Sequence, residues 1–298
     1  MEYIVDRGNI VIHSASDFDI EHILECGQCF RFYKIGEKNY RVIAQSRILE
    51  VTQMHKKVIL HHTTEEDFLH IWRTYFDLKR DYSAIKQKLG KMNQHLQCAV
   101  TEKSGIRLLQ QDTWETLISF IISQNKHITH IKQLIEDLSK AYGTYIATVD
   151  GVNYYTFPTA MQLSSAKEKD LRALKVGFRA PYIIDAREKV LKGEVDLNAL
   201  GDRPIDDAKR DLMTIKGVGP KVADCVLLFG AMRYEVFPVD VWVKRVMEHF
   251  YFNEETKINL IHDYAMKAYG DLAGFAQQYL FYYARDFQIG KRKNSMET

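Results

Sequence analysis

Up to about residue 62, apolar and polar positions alternate in short runs. The segments "NIVIH", "CFRFYKI", "NYRVIAQ", "RILEVTQ" and "KVILHH" are separated by turn material such as "GEKN" and "MHK", the pattern of an antiparallel sheet. From "TTEEDFLHIWRTYFDL" onward the apolar spacing lengthens to three and four, and it stays helical almost to the end. The chain is therefore expected to be α+β: a small N-terminal antiparallel β-sheet domain with following helices over 1–100, then a mainly α-helical domain over 101–298. The composition shifts near residues 95–105, which marks the expected edge.

Within the helical part, "QDTWETLISFIISQN" carries its own start signal. Asp112 can cap the helix while Glu115 reaches back to it, the reciprocal capping box. Leu117, Ile118, Phe120, Ile121 and Ile122 cover nearly every face, as a helix surrounded by other helices requires. This predicts the central helix of the second domain, ending in the polar run "SQNKH" that brings Gln124, Asn125 and His127 to an exposed edge. No internal repeat is present, which sets solenoids aside.

Composition narrows the picture. The 298 residues are 46% hydrophobic with only 5 prolines and no low-complexity tract, so little of the chain is flexible linker. A net charge of +2 means that any basic surface must be local. No apolar run approaches the roughly 18 residues that span a bilayer, and "MEYIVDRGNIVIH" lacks the basic start and apolar core of a secretion signal. A reducing compartment with free thiols is expected. The "CGQC" pair, Cys26 and Cys29, has redox or zinc spacing, but Cys98 and Cys225 stand far apart and no second pair completes a site, so no metal ligand set is expected.

The stretch "IKGVGPKVADC" holds the candidate chemistry. Before it, "PIDDAKRDLMTI" has helical spacing at Ala208, Leu212 and Ile215; after it, "PKVADCVLLFG" resumes with Val222, Cys225, Val226 and Phe229. Two helices are thus joined by a tight turn over about 205–230. Gly217 and Gly219 permit positive φ and leave no Cβ in the way of an approaching group, and Pro220 suits the first position of the new helix. A glycine turn feeding a helix N-terminus is an anion site, yet "GVGPKV" lacks the spacing of a nucleotide-binding P-loop. Lys221 is placed where the helix dipole and exposed amides oppose an ammonium and favour the neutral amine, a nucleophile. Nineteen positions on, "FPVDVWVKRVMEHF" (about 236–250) offers Asp240 at the N-cap of an amphipathic helix.

Apolar-Gly-apolar-Gly, with Ala223 four residues after the second glycine, resembles the helix-hairpin-helix that grips a DNA phosphate. With Lys221, Gly230 and the Pro-Val-Asp unit ending at Asp240, the pattern resembles the helix-hairpin-helix DNA glycosylase superfamily. The lysine is similar to that of members that remove a base and also cut the strand, and no four-cysteine iron-sulfur cluster follows. "GVGPKVADC", "GQCFRF" and "GFAQQYLFYYARD" resemble the 8-oxoguanine DNA glycosylases over about residues 22–288.

That resemblance implies roles for particular residues. Lys221 would attack C1′ and form a Schiff base, and Asp240 would stabilise the cationic sugar. The Gly27 carbonyl would accept the N7 hydrogen of 8-oxoguanine, Gln277 would read the Watson-Crick edge, and Phe281 and Cys225 would sandwich the base. A thiolate-ammonium pair between Cys225 and Lys221, four residues apart, would be allowed before the base arrives. Asn125 would fill the gap left by the flipped base, Phe178 would act as a wedge with Arg179 beside it, and Gly217, Gly219 and Val222 would line the phosphate site. Three positions depart from the family's animal members: His130 replaces an arginine that holds the orphaned cytosine, Phe178 conservatively replaces a tyrosine wedge, and Trp242 replaces a phosphate-binding histidine. The implied partner is double-stranded DNA containing 8-oxoguanine, bound by a monomer, with no membrane role and no required cofactor. A structural monovalent or divalent cation would sit on the carbonyls of Met213, Ile215 and Val218. The expected location is cytoplasm or nucleoid in a prokaryote and nucleus in a eukaryote. A relative acting on another damaged base, or a non-catalytic DNA-binding hairpin protein, are the alternatives.

Overall fold

The structure, a computed structural model, describes residues 1–290. Among these, six strands form one antiparallel sheet: β1 (Tyr3–Asp6), β2 (Asn9–Ile12), β3 (Phe32–Gly36), β4 (Asn39–Ala44), β5 (Arg47–Met54) and β6 (Lys57–His61), in the order β1-β2-β6-β5-β4-β3. The alternation seen in the sequence becomes its buried face, where Ile10, Ile12, Tyr40, Val42, Leu49, Val51, Val58 and Leu60 pack together. A helix, α1 (Ile20–Glu25), and the aromatic helical run from 65 to 75 cover that face with Ile20, Ile23, Phe68, Trp72 and Tyr75. The β4–β5 turn uses Gln45 and Ser46, both at positive φ (52° and 59°), the backbone that two-residue hairpins need to match strand twist.

Two elements lie outside the expected pattern. Strand β1 faces solvent at Ile4 and Val5, so no alternation marks it. A second small sheet, β7 (Tyr145–Val149) with β8 (Val152–Tyr155), interrupts the helical part. Its Asp150-Gly151 turn, with φ of 51° and 76°, is a hairpin signal that helical periodicity on either side concealed.

The helical part contains α2 (Tyr82–Met92), α3 (Gln94–Glu102), α4 (Thr113–Ser123), α5 (Ile128–Tyr142), α6 (Ala180–Leu191), α7 (Ile205–Met213), α8 (Pro220–Phe229), α9 (Val241–Met247), α10 (Ile258–Tyr269) and α11 (Ala273–Asp286). Helix α4 is the central rod, buried from Thr116 through Ile122 and packed along α8. Helix α11 is the second rod, packed against α9 and α3. Packing makes no single cut near the expected edge: α2 and α3 give Ile85, Leu89, Leu96 and Ala99 to the helical core, while Leu109 packs with the sheet. Cys26 and Phe30, early in the chain, join that core as well. Across the seam, Arg31 donates to Glu136 at 2.9 Å and to the Tyr155 carbonyl at 2.6 Å.

The expected capping box is half present. Asp112 Oδ1 accepts the Glu115 N–H at 2.8 Å, but the Glu115 carboxyl turns instead toward Arg31, where burial pushes its pKa up to about 7 despite the guanidinium. An unfolded glutamate ionises near 4.5, so folding holds the proton longer and ionised Glu115 weakens the fold as pH rises from about 4.5 to about 7. Glu115→Gln is therefore expected to raise the melting temperature at about pH 8 and to change it little at about pH 4. Thermal melts at the two pH values check this; a uniform loss would contradict it.

Candidate active site

The hairpin between α7 and α8 is built by two glycines with different jobs. Gly217 has φ of +76°, and a Cβ there would lie 2.2 Å from the Tyr182 ring, so both backbone and space require glycine. Gly219 is extended, and a Cβ on it would meet nothing within 4 Å; it is the open face of the turn. The N–H groups of Gly219, Lys221 and Val222 have no acceptor among the described residues, which leaves them free for an anion at the helix start. The Val222 side chain is buried, so its contribution is limited to the amide.

Asp240 begins α9 and accepts the Val243 N–H at 2.8 Å, the capping role the sequence implied. Burial raises its pKa above the ordinary aspartate value; the Val243 and Trp242 amides and the charges of Lys221 and Arg285 offset this only in part. Lys221 and Asp240 thus feel each other without forming a direct ion pair. The Lys221 Nζ lies 5.0 Å from the centre of the Phe120 ring on α4. One turn along α8, Cys225 is 3% exposed. Burial pushes its thiol up to about 11 although Lys221 lies beside it, which disfavours the thiolate that a thiolate-ammonium pair needs: desolvation outweighs the nearby cation.

A second set of residues comes from both ends of the chain, and the charge of Arg285 within it reaches Asp240. Gly27, with φ of +80°, approaches Phe281 so closely that a Cβ would lie 3.1 Å from the ring. Gln28, 1% exposed, fixes this segment: its amide nitrogen donates to the Ile23 and Arg107 carbonyls at 2.7 and 2.8 Å, and its oxygen accepts the Leu109 N–H at 2.8 Å. From α11, Gln278 donates to the Cys26 carbonyl at 2.6 Å, and Arg285 donates to the Glu25 carbonyl. Gln277 is buried, and its Oε1 has no hydrogen-bond partner. Cys26 and Cys29 are buried thiols with pKa values raised by that burial.

A third cluster gathers at the C-terminal end of α4. Asn125 is exposed at a φ of +51°, and Phe178 is 47% exposed. Arg179 departs from expectation: it is 2% exposed and lies inside, its guanidinium 4.2 Å from the Phe178 ring centre and donating to the Val176 and Gln124 carbonyls. It ties the Phe178 loop to the Asn125 turn instead of reaching out as a surface cation. Gln124 in turn donates to the Gly217 carbonyl at 3.1 Å, and Tyr182 bridges Phe178 and Gly217. Three protruding loops are thereby locked together. His130 is exposed on α5 with its Nδ1 3.2 Å from the Lys126 Nζ. Trp242 is half-buried on α9 with Arg245 5.2 Å from its ring centre. A groove of about 540 Å³ near Trp114, Glu115 and Phe157 lies at the other end of α4 and shares no residue with these clusters.

The sequence model of the 8-oxoguanine DNA glycosylase N-terminal domain matches residues 10–117, and that of the HhH-GPD superfamily base excision DNA repair proteins matches 118–267. The chain belongs to the 8-oxoguanine DNA glycosylase family. Similar curated proteins include the N-glycosylase/DNA lyase of Saccharomyces cerevisiae, 31% identical over 92% of this chain and 85% of that protein. Another is a probable N-glycosylase/DNA lyase of Methanothermobacter thermautotrophicus, 33% identical over 75% of each chain. The Clostridium acetobutylicum 8-oxoguanine glycosylase/lyase, solved with double-stranded DNA containing cytosine opposite 8-oxoguanine, is 37% identical; the match covers 97% of this chain and 99% of that one with a TM-score of 0.93.

For this glycosylase, sequence reasoning missed two residues that the fold brings to the site. Gln28 leaves no local signal, because its partners at 107–111 are known only from tertiary structure. Arg285 did leave one: Gln277, Phe281 and Arg285 recur every four residues, one ridge of α11.

Proposed function

We propose that this chain is a bifunctional DNA glycosylase and abasic-site lyase that excises 8-oxoguanine from duplex DNA. The observation that carries this is the convergence of Lys221, Asp240 and Cys225 from α8 and α9 with the Gly27–Phe281 wall, where Gln277 carries an unpaired buried oxygen. Reaching a base inside a duplex requires rotating its nucleotide out, at a cost of a few kcal/mol. Three features offset that cost. Stacking on Phe281 contributes about 1–3 kcal/mol. The Gln277 oxygen, whose unpaired burial costs about 1–3 kcal/mol in the free protein, gains donors from the Watson-Crick edge. The Gly27 carbonyl accepts no hydrogen bond among the described residues and takes the N7 hydrogen that guanine lacks.

In the first chemical step the C1′–N9 bond breaks and its electron pair leaves with the base. Asp240, half-buried, stabilises the positive charge that develops on the sugar. Lys221, having given up a proton, then bonds to C1′; opening of the sugar ring gives a Schiff base, and loss of a C2′ proton expels the 3′ phosphate by β-elimination. Asn125 and Phe178, aligned by Arg179, enter the duplex where the nucleotide left it. The amides at Gly219, Lys221 and Val222 hold a backbone phosphate. A cation on the Met213, Ile215 and Val218 carbonyls would stiffen this turn; Ile215 already accepts the Val218 N–H at 3.0 Å and keeps a second lone pair. The protein acts as a monomer in whichever compartment holds the DNA, and no helix among the described residues is long and apolar enough to cross a membrane.

Borohydride added to the protein with an 8-oxoguanine duplex is expected to trap a covalent complex, and Lys221→Gln to abolish trapping. Undiminished trapping in that variant would refute the assignment. His130, already engaged with Lys126, does not present the bidentate donor fork of an arginine to an orphaned cytosine. Single-turnover cleavage is therefore expected to vary less than about tenfold, near 1.4 kcal/mol, across the four opposing bases. A strong cytosine preference would contradict this.

A further inference from the structure

Arg285 lies on the same ridge of α11 as Gln277 and Phe281, one turn beyond the stacking ring. Its guanidinium is 5.4 Å from the centre of the Phe281 ring and 4.9 Å from that of Tyr282. One nitrogen donates to the Glu25 carbonyl. The other, Nη1, is buried without an acceptor and lies 3.6 Å from the point that a side chain on Gly27 would occupy. No carboxylate among the described residues pairs with it at ion-pair distance. A buried donor left unpaired costs about 1–3 kcal/mol, and such groups persist in native folds where function requires them. The ring of Phe281 is therefore flanked by two unsatisfied groups of opposite kind, an acceptor on Gln277 and a cationic donor on Arg285.

The chemistry of the lesion says what the donor meets. This step rests on the reading above, in which the Gly27 carbonyl takes N7–H. In 8-oxoguanine the carbonyl carbon C8 is bonded to N7, so a donor beside Gly27 faces the edge that carries O8. We propose that Arg285 is a catalytic residue that donates to O8 of the flipped base and neutralises the negative charge collecting on the departing oxopurine. When the C1′–N9 bond breaks, both electrons remain on N9, and conjugation through C8 places that charge on O8. Arg285 keeps its own proton throughout; the protonation of the released base is completed from solvent. Undamaged guanine has no oxygen at C8, so it receives none of this stabilisation, and Arg285 adds a kinetic component to a discrimination that binding at Gly27 begins.

The test separates base departure from strand cleavage. Single-turnover excision from an 8-oxoguanine duplex and nicking of a duplex with a preformed abasic site are measured for wild type, Arg285→Gln and Arg285→Lys. Arg285→Gln is expected to slow excision about a hundredfold, the scale of losing one charge-stabilising donor. It should slow abasic-site nicking far less, because no base departs there and only its background charge near Asp240 is lost. Arg285→Lys, which keeps the charge, should recover part of the excision rate. Equal losses in both assays would reduce Arg285 to a tether between α11 and Glu25, and excision at the wild-type rate would give it no role; either result overturns the proposal. Failure of the wild-type protein to nick abasic DNA would instead count against the lyase reading.

Discussion

A half-buried carboxylate at the start of a helix, within the field of an ammonium but not bonded to it, is the constraint on which this structure turns. Asp240 satisfies the first amides of α9 and so is anchored by the fold itself. Burial makes its charge expensive, and the charges of Lys221 and Arg285 lower that cost without removing it. In the proposed mechanism, a direct Lys221–Asp240 ion pair would relieve the strain but tie down the attacking nitrogen. The proposed arrangement would leave both groups with interactions to gain when an electron-poor sugar comes between them, as differential binding of a transition state requires.

The surroundings keep those groups in place. Helix α8 carries Lys221 and Cys225 and is packed along α4, whose far end presents Asn125. Helix α11 carries Gln277, Phe281 and Arg285 and is stitched to residues 25–28 by the Gln278 and Arg285 hydrogen bonds across some 250 residues of chain. Gln28 then fastens that same segment to residues 107–111. Residues 25–28 and α11, from early and late in the chain, are therefore joined with Gly27 against Phe281.

What could be seen in the sequence follows from the range over which each feature is decided. The hairpin, its glycines, Lys221 and the Asp240 cap are settled within a few residues by backbone and dipole chemistry, so local spacing revealed them. Strands β2 to β6 showed through because one face of each is buried; β1 did not, because it is exposed. Glu115 and Arg179 were read differently from where they lie, for one reason: each side chain answers to a partner from a distant segment, Arg31 in one case and the Gln124 carbonyl in the other. The raised Cys225 thiol has a similar origin, since burial by neighbouring helices overrides the lysine four residues away.

The most direct test of the central arrangement is the titration of the Asp240 carboxyl itself, followed by carbon NMR in the wild-type protein and in Lys221→Gln. The account predicts a pKa above the ordinary aspartate value in the wild type, and a further rise when the ammonium is replaced by a neutral amide. An ordinary value that does not respond to the substitution would mean that the two groups neither share a desolvated site nor face one another.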